Sequence, residues 1–399
     1  MTNRERLLAI LDHRGPDRIP WIPRLKLWYG ARTLEGTMPE RFRGMTLREI
    51  ERTLRLGTPA RAARILRERF LPGLEVVVHR SGAEQTTEYR TPYGTALSRR
   101  VTSAELIGYT EDALDVVHPI TREEDYDVWE YVVEHTDYEP TYEDYLAYER
   151  EIGDDGLPLV SAAGDNQSLT APGDCPLHHF LLYLAGYNQG YYELHDRTAR
   201  VERLLRVMTD CDRERLWPVV AESPARLILH GVHFDSQMTP PHLFKRYMTP
   251  YYQEFSALLH ARGKSLSYHA DDDSRAILSL VKEAGFDMAE CFTTAPMVSV
   301  TLAEARAVWG TDVIIWGGVP SVILEPMTPE DEFEEYMRGV FRTIAPGDAF
   351  ILGVADNVMP LSLIDRVEQI SEMVEAYGGY PVKGPPARGG DEPAAGRSR

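Results

Sequence analysis

Residues with acid–base and metal-binding chemistry follow four short apolar runs of the chain. The runs 157–163, 226–230, 264–268 and 287–289 lead, in order, to Asn166, to His233 and Asp235, to His269 and Asp271, and to Glu290 and Cys291. If the runs are parallel strands, their carboxyl ends share one rim, and these side chains converge there. Imidazole, carboxylate and thiol groups in one place can bind a metal ion or transfer protons.

The pair His269 and Asp271, two residues apart at a predicted strand end, can face a single ion. Glu290 or Cys291 from the next strand would complete the ligand set, and the cofactor would be zinc or another divalent ion. Two other uses of the pair stay open. It can do acid–base work without a metal, or His269 can bond Asp271 while the acidic run caps the following helix.

Asp235 has a catalytic and a structural interpretation. An aspartate before a helix is often a cap, but the next helix is expected to begin only at residues 240–243. We therefore assign Asp235 to catalysis, as a group that protonates a leaving atom or stabilises developing positive charge. His233, beside it, and Asn166, after the first run, are assigned to substrate binding.

The elements that must position these residues are predicted from the alternation of short apolar runs with amphipathic stretches. There are six such runs from residue 157 onward, and the last two are residues 313–316 and 349–352. This alternation predicts parallel strands joined by right-handed helical crossovers. With a strand near Trp21 and an eighth in the seventies, the pattern indicates an α/β fold, a (β/α)8 TIM-type barrel. It disfavours a doubly wound sheet, because no glycine-rich nucleotide-binding motif follows a strand.

The remaining segments are predicted to decorate one barrel domain at residues 1–380. Residues 1–20 indicate an amphipathic amino-terminal helix, and residues 75–90 indicate a β-hairpin around a Ser-Gly turn. An acidic, tyrosine-rich insertion follows, so that the hairpin and insertion together occupy about residues 75–155. Residues 381–399 are rich in Pro, Gly, Ala and Arg and are predicted to be a disordered tail.

The charge of the chain excludes some partners. The formal net charge is −19, which argues against nucleic acid. Residues 121–155 carry 14 acidic and 2 basic side chains together with six tyrosines, and they read either as a helical flap or interface or as a solvated surface. Without a membrane-spanning run or a signal-peptide pattern, we expect a cytoplasmic protein with no membrane partner and reduced cysteines.

Seven motifs, in order along residues 1 to about 380, resemble the uroporphyrinogen decarboxylase superfamily. They are residues 3–8 (NRERLL), 16–20 (PDRIP), 234–236 (FDS), 239–244 (TPPHLF), 247–251 (YMTPY), 316–320 (WGGVP) and 353–360 (GVADNVMP). The resemblance implies a TIM-type barrel with its site at the carboxyl ends of the strands. It does not by itself specify a reaction.

The resemblance to the decarboxylases of this superfamily is incomplete. They hold substrate carboxylates with two amino-terminal arginines; the matching residues 23–29 (PRLKLWY) keep Arg24 and place Trp28 at the second position. Tyr183 and Asp235 match decarboxylase positions, which implies catalytic roles, but Val354 stands where a decarboxylase has histidine. Arg24 and Trp28 are therefore expected to bind substrate, although Trp28 can equally belong to the core. Decarboxylation of a porphyrinogen or a smaller acid is the alternative function.

The corrinoid-dependent methyltransferases of the superfamily bind zinc through His-x-Cys and a later Cys. Only His269 matches here, because Asp271 and Val354 replace the two cysteines. We expect a divergent subgroup that demethylates a small methylated substrate toward a thiol or toward a corrinoid carried by a partner protein. A lyase or decarboxylase and a non-catalytic binding protein remain as alternatives, and a homodimer is left open.

Overall fold

The computed structural model describes residues 1–102, 113–162, 169–171 and 173–385. Its strands are β1 (Leu66–Phe70), β2 (Glu75–Ser81), β3 (Glu84–Thr91), β4 (Gly94–Val101), β5 (Leu114–Val117), β6 (Thr136–Pro140), β7 (Leu159–Ser161), β8 (Leu227–Val232), β9 (Ser265–His269), β10 (Met288–Phe292), β11 (Ile314–Pro320) and β12 (Phe350–Ala355). Its α-helices are α1 (Asn3–Leu11), α2 (Lys26–Glu35), α3 (Leu47–Thr53), α4 (Asp125–Glu134), α5 (Tyr142–Ile152), α6 (Pro176–His179), α7 (Tyr187–Asp196), α8 (Thr198–Cys211), α9 (Trp217–Glu222), α10 (Pro241–Leu243), α11 (Thr249–His260), α12 (Leu278–Glu283), α13 (Leu302–Trp309), α14 (Glu330–Ile344) and α15 (Ile364–Tyr377).

A six-stranded parallel sheet forms the centre of the molecule. Its order is β12-β11-β10-β9-β8-β7, and every neighbouring pair is parallel. The strands from β8 to β12 are almost entirely buried, which explains why each reads as an apolar run in the sequence. Each of the six runs predicted from residue 157 onward overlaps one of these strands, so this part of the fold prediction is confirmed.

The two edges of the sheet bond to short segments from the first sixty residues. Trp21 forms a parallel bridge with Leu352 of β12, and its carbonyl accepts a 2.9 Å hydrogen bond from Gly57 N. At the opposite edge, Leu159 N of β7 donates to Ala60 O, also at 2.9 Å. Residues 57–60 therefore lie between Trp21 and β7 in the hydrogen-bonding order.

The eighth parallel strand predicted in the seventies is wrong. That segment is β2, which pairs antiparallel with β3 in a separate four-stranded sheet of order β2-β3-β4-β5. Gly82, with φ +59°, reverses the chain between the two strands, so β2 cannot continue into a crossover. The predicted hairpin residues form β2 and β3.

The acidic residues 121–155 form α4, β6 and α5. Tyr126 and Tyr145 are fully buried in the main hydrophobic core. The hydroxyl of Tyr138 donates to Thr170 O at 2.6 Å, and that of Tyr142 donates to Val219 O of α9, also at 2.6 Å. The tyrosines therefore anchor this segment on the core, and most of its acidic side chains face solvent.

Helix α1 covers the amino-terminal end of the parallel sheet. Thr2 and Glu5 form a capping box that starts this helix. Its apolar side chains share a buried cluster with residues that begin four strands: Leu7, Ile10 and Leu11 with Leu159, Leu227, Met288 and Ile314. The carboxyl ends of the strands thus lie on the side away from α1. None of the described helices is both long and apolar enough to cross a membrane.

Candidate functional site

His269, the last residue of β9, is held by a buried carboxylate on the neighbouring strand. Glu290 of β10 lies directly opposite His269, and its Oε2 is 2.5 Å from His269 Nδ1. The other oxygen of Glu290 accepts a hydrogen bond from Arg61. Both oxygens of Glu290 are therefore engaged, and the free ring nitrogen of His269, Nε2, faces away from this strand.

Two further carboxylates face His269 Nε2. Asp271 Oδ2 lies 3.4 Å away, and Asp356 Oδ1, just after β12, lies 3.5 Å away. Arg24 donates to the same oxygen of Asp356, and Asn357 Nδ2 donates to the other at 2.7 Å. Asp356 is thus fixed by Arg24, near the amino terminus, and by Asn357, which follows the last strand of the sheet.

Cys291 adds a thiol beside these groups. It has φ +61° and sits where the pairing of β10 with β11 is irregular. Its Sγ donates to Asp356 Oδ1 at 3.0 Å and lies 3.8 Å from Arg24 Nη1. Burial and the neighbouring carboxylates raise the pKa of the Cys291 thiol well above its usual value, so it is a neutral thiol here.

His233 lies on the solvent side of this cluster, directly after β8. It has φ +54°, and its side chain is 48% exposed. Its Nδ1 is 3.2 Å from Asp271 Oδ1 and 3.2 Å from Asp272 Oδ2. The His233 and His269 ring centroids are 6.3 Å apart. Asp271 therefore has one histidine on each side.

The carboxylates determine the charge of both histidines. Burial alone would lower the pKa of His269, but Glu290 and Asp271 outweigh it and raise that pKa to about 10. Hydrogen bonds to Asp271 and Asp272 raise the pKa of His233 to about 11. In turn, the two histidines hold the pKa of Asp271 well below its usual value despite its burial. Both rings are imidazolium ions at neutral pH in this arrangement.

The charges of the cluster balance. Its cations are Arg24, Arg61, His233 and His269, and its anions are Asp271, Asp272, Glu290 and Asp356. Burying ions is costly unless they are paired and hydrogen-bonded, and each of these has such a partner. The cluster therefore has no surplus positive charge for a substrate with many carboxylates.

Three predicted residues have partners outside this cluster. Asp235 accepts from Gln237 N at 2.6 Å and Met238 N at 3.0 Å, so its carboxylate holds its own turn. Trp28 is 1% exposed and packs edge-on against Phe42, which places it in the core. The third lies in a π-helical turn.

That third residue is Tyr183, in the π-helix Phe180–Leu184. Its ring lies 5.3 Å from that of His179, and its carbonyl bonds to His118 Nδ1 at 2.8 Å. Burial raises the pKa of its phenol well above the usual value. Asn166 lies outside the described residues.

Sequence reasoning missed Arg61 and Asp356. Asp356 follows a strand end like the other rim residues, but the comparison of motifs drew attention to Val354. Because β12 continues to Ala355, Asp356 is the first residue beyond the strand and turns into the cluster. Arg61 has no comparable signal, since no apolar run precedes it.

The donor groups on the Nε2 side of His269 fit a divalent metal ion. A nitrogen or oxygen atom of His269, Asp271 and Asp356 each lies within 4.8 Å of the others. The 3.4 and 3.5 Å separations are close to the spacing of about 3.4 Å between neighbouring ligands of a tetrahedral zinc site. Cys291 and Glu290 also lie within ligand reach of His269. Glu290, however, already bonds Arg61 and His269 Nδ1, the outer position that orients a metal-binding histidine.

Comparisons with known proteins identify a family and a similar fold. The family model for uroporphyrinogen decarboxylase (URO-D) matches residues 174–377, which include all the cluster residues from His233 to Asp356. The solved structure of a methyltransferase from Methanosarcina mazei is similar in fold, with a TM-score of 0.54 and 14% identity over 94% of this chain and 99% of that chain. No curated protein matches the chain in sequence.

Proposed function

The chain belongs to the uroporphyrinogen decarboxylase (URO-D) family, and on that premise we propose that it is a metal-assisted methyltransferase. It would remove a methyl group from a small methylated substrate and pass it to a thiol or to a corrinoid carried by a partner protein. The observation that carries this proposal is the donor set around His269 Nε2. Two carboxylates face an oriented imidazole at the carboxyl ends of parallel strands, where TIM-barrel enzymes have their sites.

The proposal includes a closed (β/α)8 barrel. Six members are the strands from β7 to β12. The bridge at Trp21 and the hydrogen bonds of Gly57 and Ala60 support two further members that join the edges. The residues at positions 57–60 are too few and too polar in pattern to be recognised as a strand, yet they suffice to continue the hydrogen-bonding order.

His269, Asp271 and Asp356 would hold a zinc or another divalent ion. When bound, such an ion supplies a Lewis acid that polarises the atom carrying the methyl group. Glu290 accepts from His269 Nδ1–H and so presents Nε2 to the site, while Arg61 keeps Glu290 ionised: burial works against it, but Arg61 and His269 lower the pKa of Glu290 to about 2. Arg24 holds Asp356 in place through its hydrogen bond.

His233 would act on the substrate from the solvent side. It is half exposed, and its Nδ1 faces Asp271 and Asp272, so its Nε2–H can donate a hydrogen bond to the leaving oxygen or nitrogen. The methyl group is transferred formally as CH3+ to the acceptor, whose electron pair forms the new bond. The electron pair of the broken bond stays on the leaving oxygen or nitrogen, and a proton then neutralises the charge of that atom. Asp235 is two residues away and stays a predicted participant in this proton transfer.

Decarboxylation is the second candidate because Arg24 lies in the cluster. Arginine is the residue that holds carboxylate substrates in pairs of hydrogen bonds. Here Arg24 already bonds Asp356, and the cluster is electrically balanced. Methyl transfer, which needs no surplus of positive charge, is therefore the better match.

A paired assay separates the two activities. Protein reloaded with Zn²⁺ is given methoxylated aromatics or methylated amines with a reduced corrinoid protein, and methyl-corrinoid is followed by its absorbance. A parallel sample receives uroporphyrinogen without oxygen. We expect methyl-corrinoid with at least one donor and no coproporphyrinogen. Coproporphyrinogen formation without any methyl transfer would establish the decarboxylase instead.

A further inference from the structure

We propose that the site binds two divalent metal ions, with Asp271 as the carboxylate that bridges them. The inference rests on the proposed function, because it adds a second ion beside the one assigned to His269. The second set of ligands is His233, Asp271 and Asp272. His233 and Asp272 match no metal ligand in the family resemblance, whereas Asp271 stands in place of the first zinc-binding cysteine. Ligand atoms of these three residues lie within 4.8 Å of one another.

The geometry of the second set matches that of the first. His233 Nδ1 is 3.2 Å from Asp271 Oδ1 and 3.2 Å from Asp272 Oδ2. These separations are near the roughly 3.4 Å between adjacent ligands of a tetrahedral site. Each set thus offers one imidazole nitrogen and two carboxylates.

Asp271 faces both sets with different oxygens. Its Oδ2 lies 3.4 Å from His269 Nε2, and its Oδ1 lies 3.2 Å from His233 Nδ1. Oδ1 is buried, and its interaction with His233 Nδ1 is less well aligned than the hydrogen bond of that nitrogen with Asp272 Oδ2. A carboxylate with one oxygen toward each donor set is the arrangement that holds two ions a few ångströms apart.

The second set is held on rigid backbone. Asp273 O accepts from Ser236 N at 2.9 Å and from Ser236 Oγ at 2.7 Å, and Asp273 Oδ2 accepts from Ser299 Oγ at 2.5 Å. These bonds join the loops after β8, β9 and β10. Phe234, next to His233, stacks on Tyr268 of β9 with centroids 5.3 Å apart. His233 and Asp272 therefore keep their relative positions without a ligand.

The donor types select the class of ion. Imidazole with carboxylates suits zinc, manganese, iron or cobalt, whereas magnesium and calcium prefer oxygen ligands alone. His233 is half exposed, so the second ion would keep an open side for a substrate atom or water. The first ion lies deeper, beside buried His269.

Metal counting tests the proposal. Metal-depleted protein is equilibrated with Zn²⁺ or Mn²⁺, dialysed and analysed for metal and protein, and the Mn²⁺ form is examined by electron paramagnetic resonance. We expect two ions per chain and a spectrum of two exchange-coupled Mn²⁺ ions. His233→Asn and Asp272→Asn should each bind one ion and give an uncoupled spectrum.

The variants are chosen so that folding does not decide the result. Asparagine tolerates the left-handed backbone of His233, and circular dichroism checks each variant. His195→Asn is the matched control, because His195 lies 2.8 Å from Asp196 in an exposed pair elsewhere and should leave both ions in place. One ion per chain, unchanged by His233→Asn, would overturn the second site and leave the first intact. No bound ion would overturn the metal-assisted function as well.

Discussion

Two pairs of histidines in this molecule differ in what surrounds them. His233 and His269 lie at the carboxyl ends of β8 and β9 among carboxylates, and their pKa values are raised to about 11 and about 10. His179 and His230 lie in the interior, and burial lowers the pKa of each to about 4. His269 is also buried, at 7% exposed against 1% for each of the interior pair, so burial alone does not fix the charge of a histidine.

This difference indicates where in the molecule proton transfer or metal binding is expected. In the interior, His230 Nδ1 lies 3.2 Å from the Tyr252 hydroxyl, among aromatic rings. Such a neutral ring serves packing and hydrogen bonding. At the rim, carboxylates from several strands compensate the positive charge that the histidines carry, and an ion could take the place of that charge.

The largest effect is expected for His269→Ala. Removing this ligand should abolish binding of the deeper ion and lower methyl transfer by on the order of 10²-fold or more. His179→Ala, in the interior, should keep the ion content although it loses stability. Metal analysis and circular dichroism of both variants make the comparison. Equal ion content in wild type and His269→Ala would end the distinction between rim and interior histidines.

A smaller effect is expected for Glu290→Gln. Glutamine keeps the size of the side chain but removes the charge that fixes His269 Nδ1–H. Metal affinity should fall by about 10- to 100-fold, the usual cost of losing an outer-shell partner, while the number of ions at saturation is unchanged. Titration calorimetry measures both quantities. A lowered ion count at saturation would show that Glu290 is a ligand, as the sequence pattern allowed. Glu222→Gln, on the exposed surface, is the control.

The smallest effect concerns His230 and acid stability. Because its pKa is about 4 in the folded protein and about 6.5 when unfolded, the unfolded chain takes up an extra proton between these pH values. Stability is therefore lost as the pH falls through this window, by up to about 1.4 kcal/mol per pH unit. Urea unfolding at several pH values measures the slope of the free energy of unfolding against pH. In His230→Phe this slope should be smaller by the equivalent of one proton. The same slope in His230→Phe and wild type would contradict the assignment of His230 as a neutral interior ring.

Much of the fold was accessible from the sequence because buried parallel strands leave continuous apolar runs. The strands from β7 to β12 were found in this way, and the rim residues were found because they follow those runs. The segment at residues 57–60 could not be found, since a few backbone hydrogen bonds need no apolar side chains. The acidic segment was ambiguous because its charges and its buried tyrosines point in opposite directions.

The site residues were predictable only where they directly follow an apolar run that the sequence shows. His269, Asp271, Glu290 and Cys291 come from adjacent strands, and the structure brings them together. Asp356 depends on where β12 ends, and Arg61 depends on the path of a segment without a sequence signal. For Asp235, the sequence predicts a position near the ends of the strands, but it does not show that the carboxylate bonds to its own turn.

The packing of α1 against the amino-terminal ends of the strands has a consequence for substrate access. With Leu7, Ile10 and Leu11 packed against the starts of the strands, molecules approach His269 from the opposite end. A methyl donor and a methyl acceptor would then both reach the site from this end. Under the proposed function, a bulky acceptor protein would have to wait for the demethylated product to leave or dock over it, because both would use the same end of the parallel sheet.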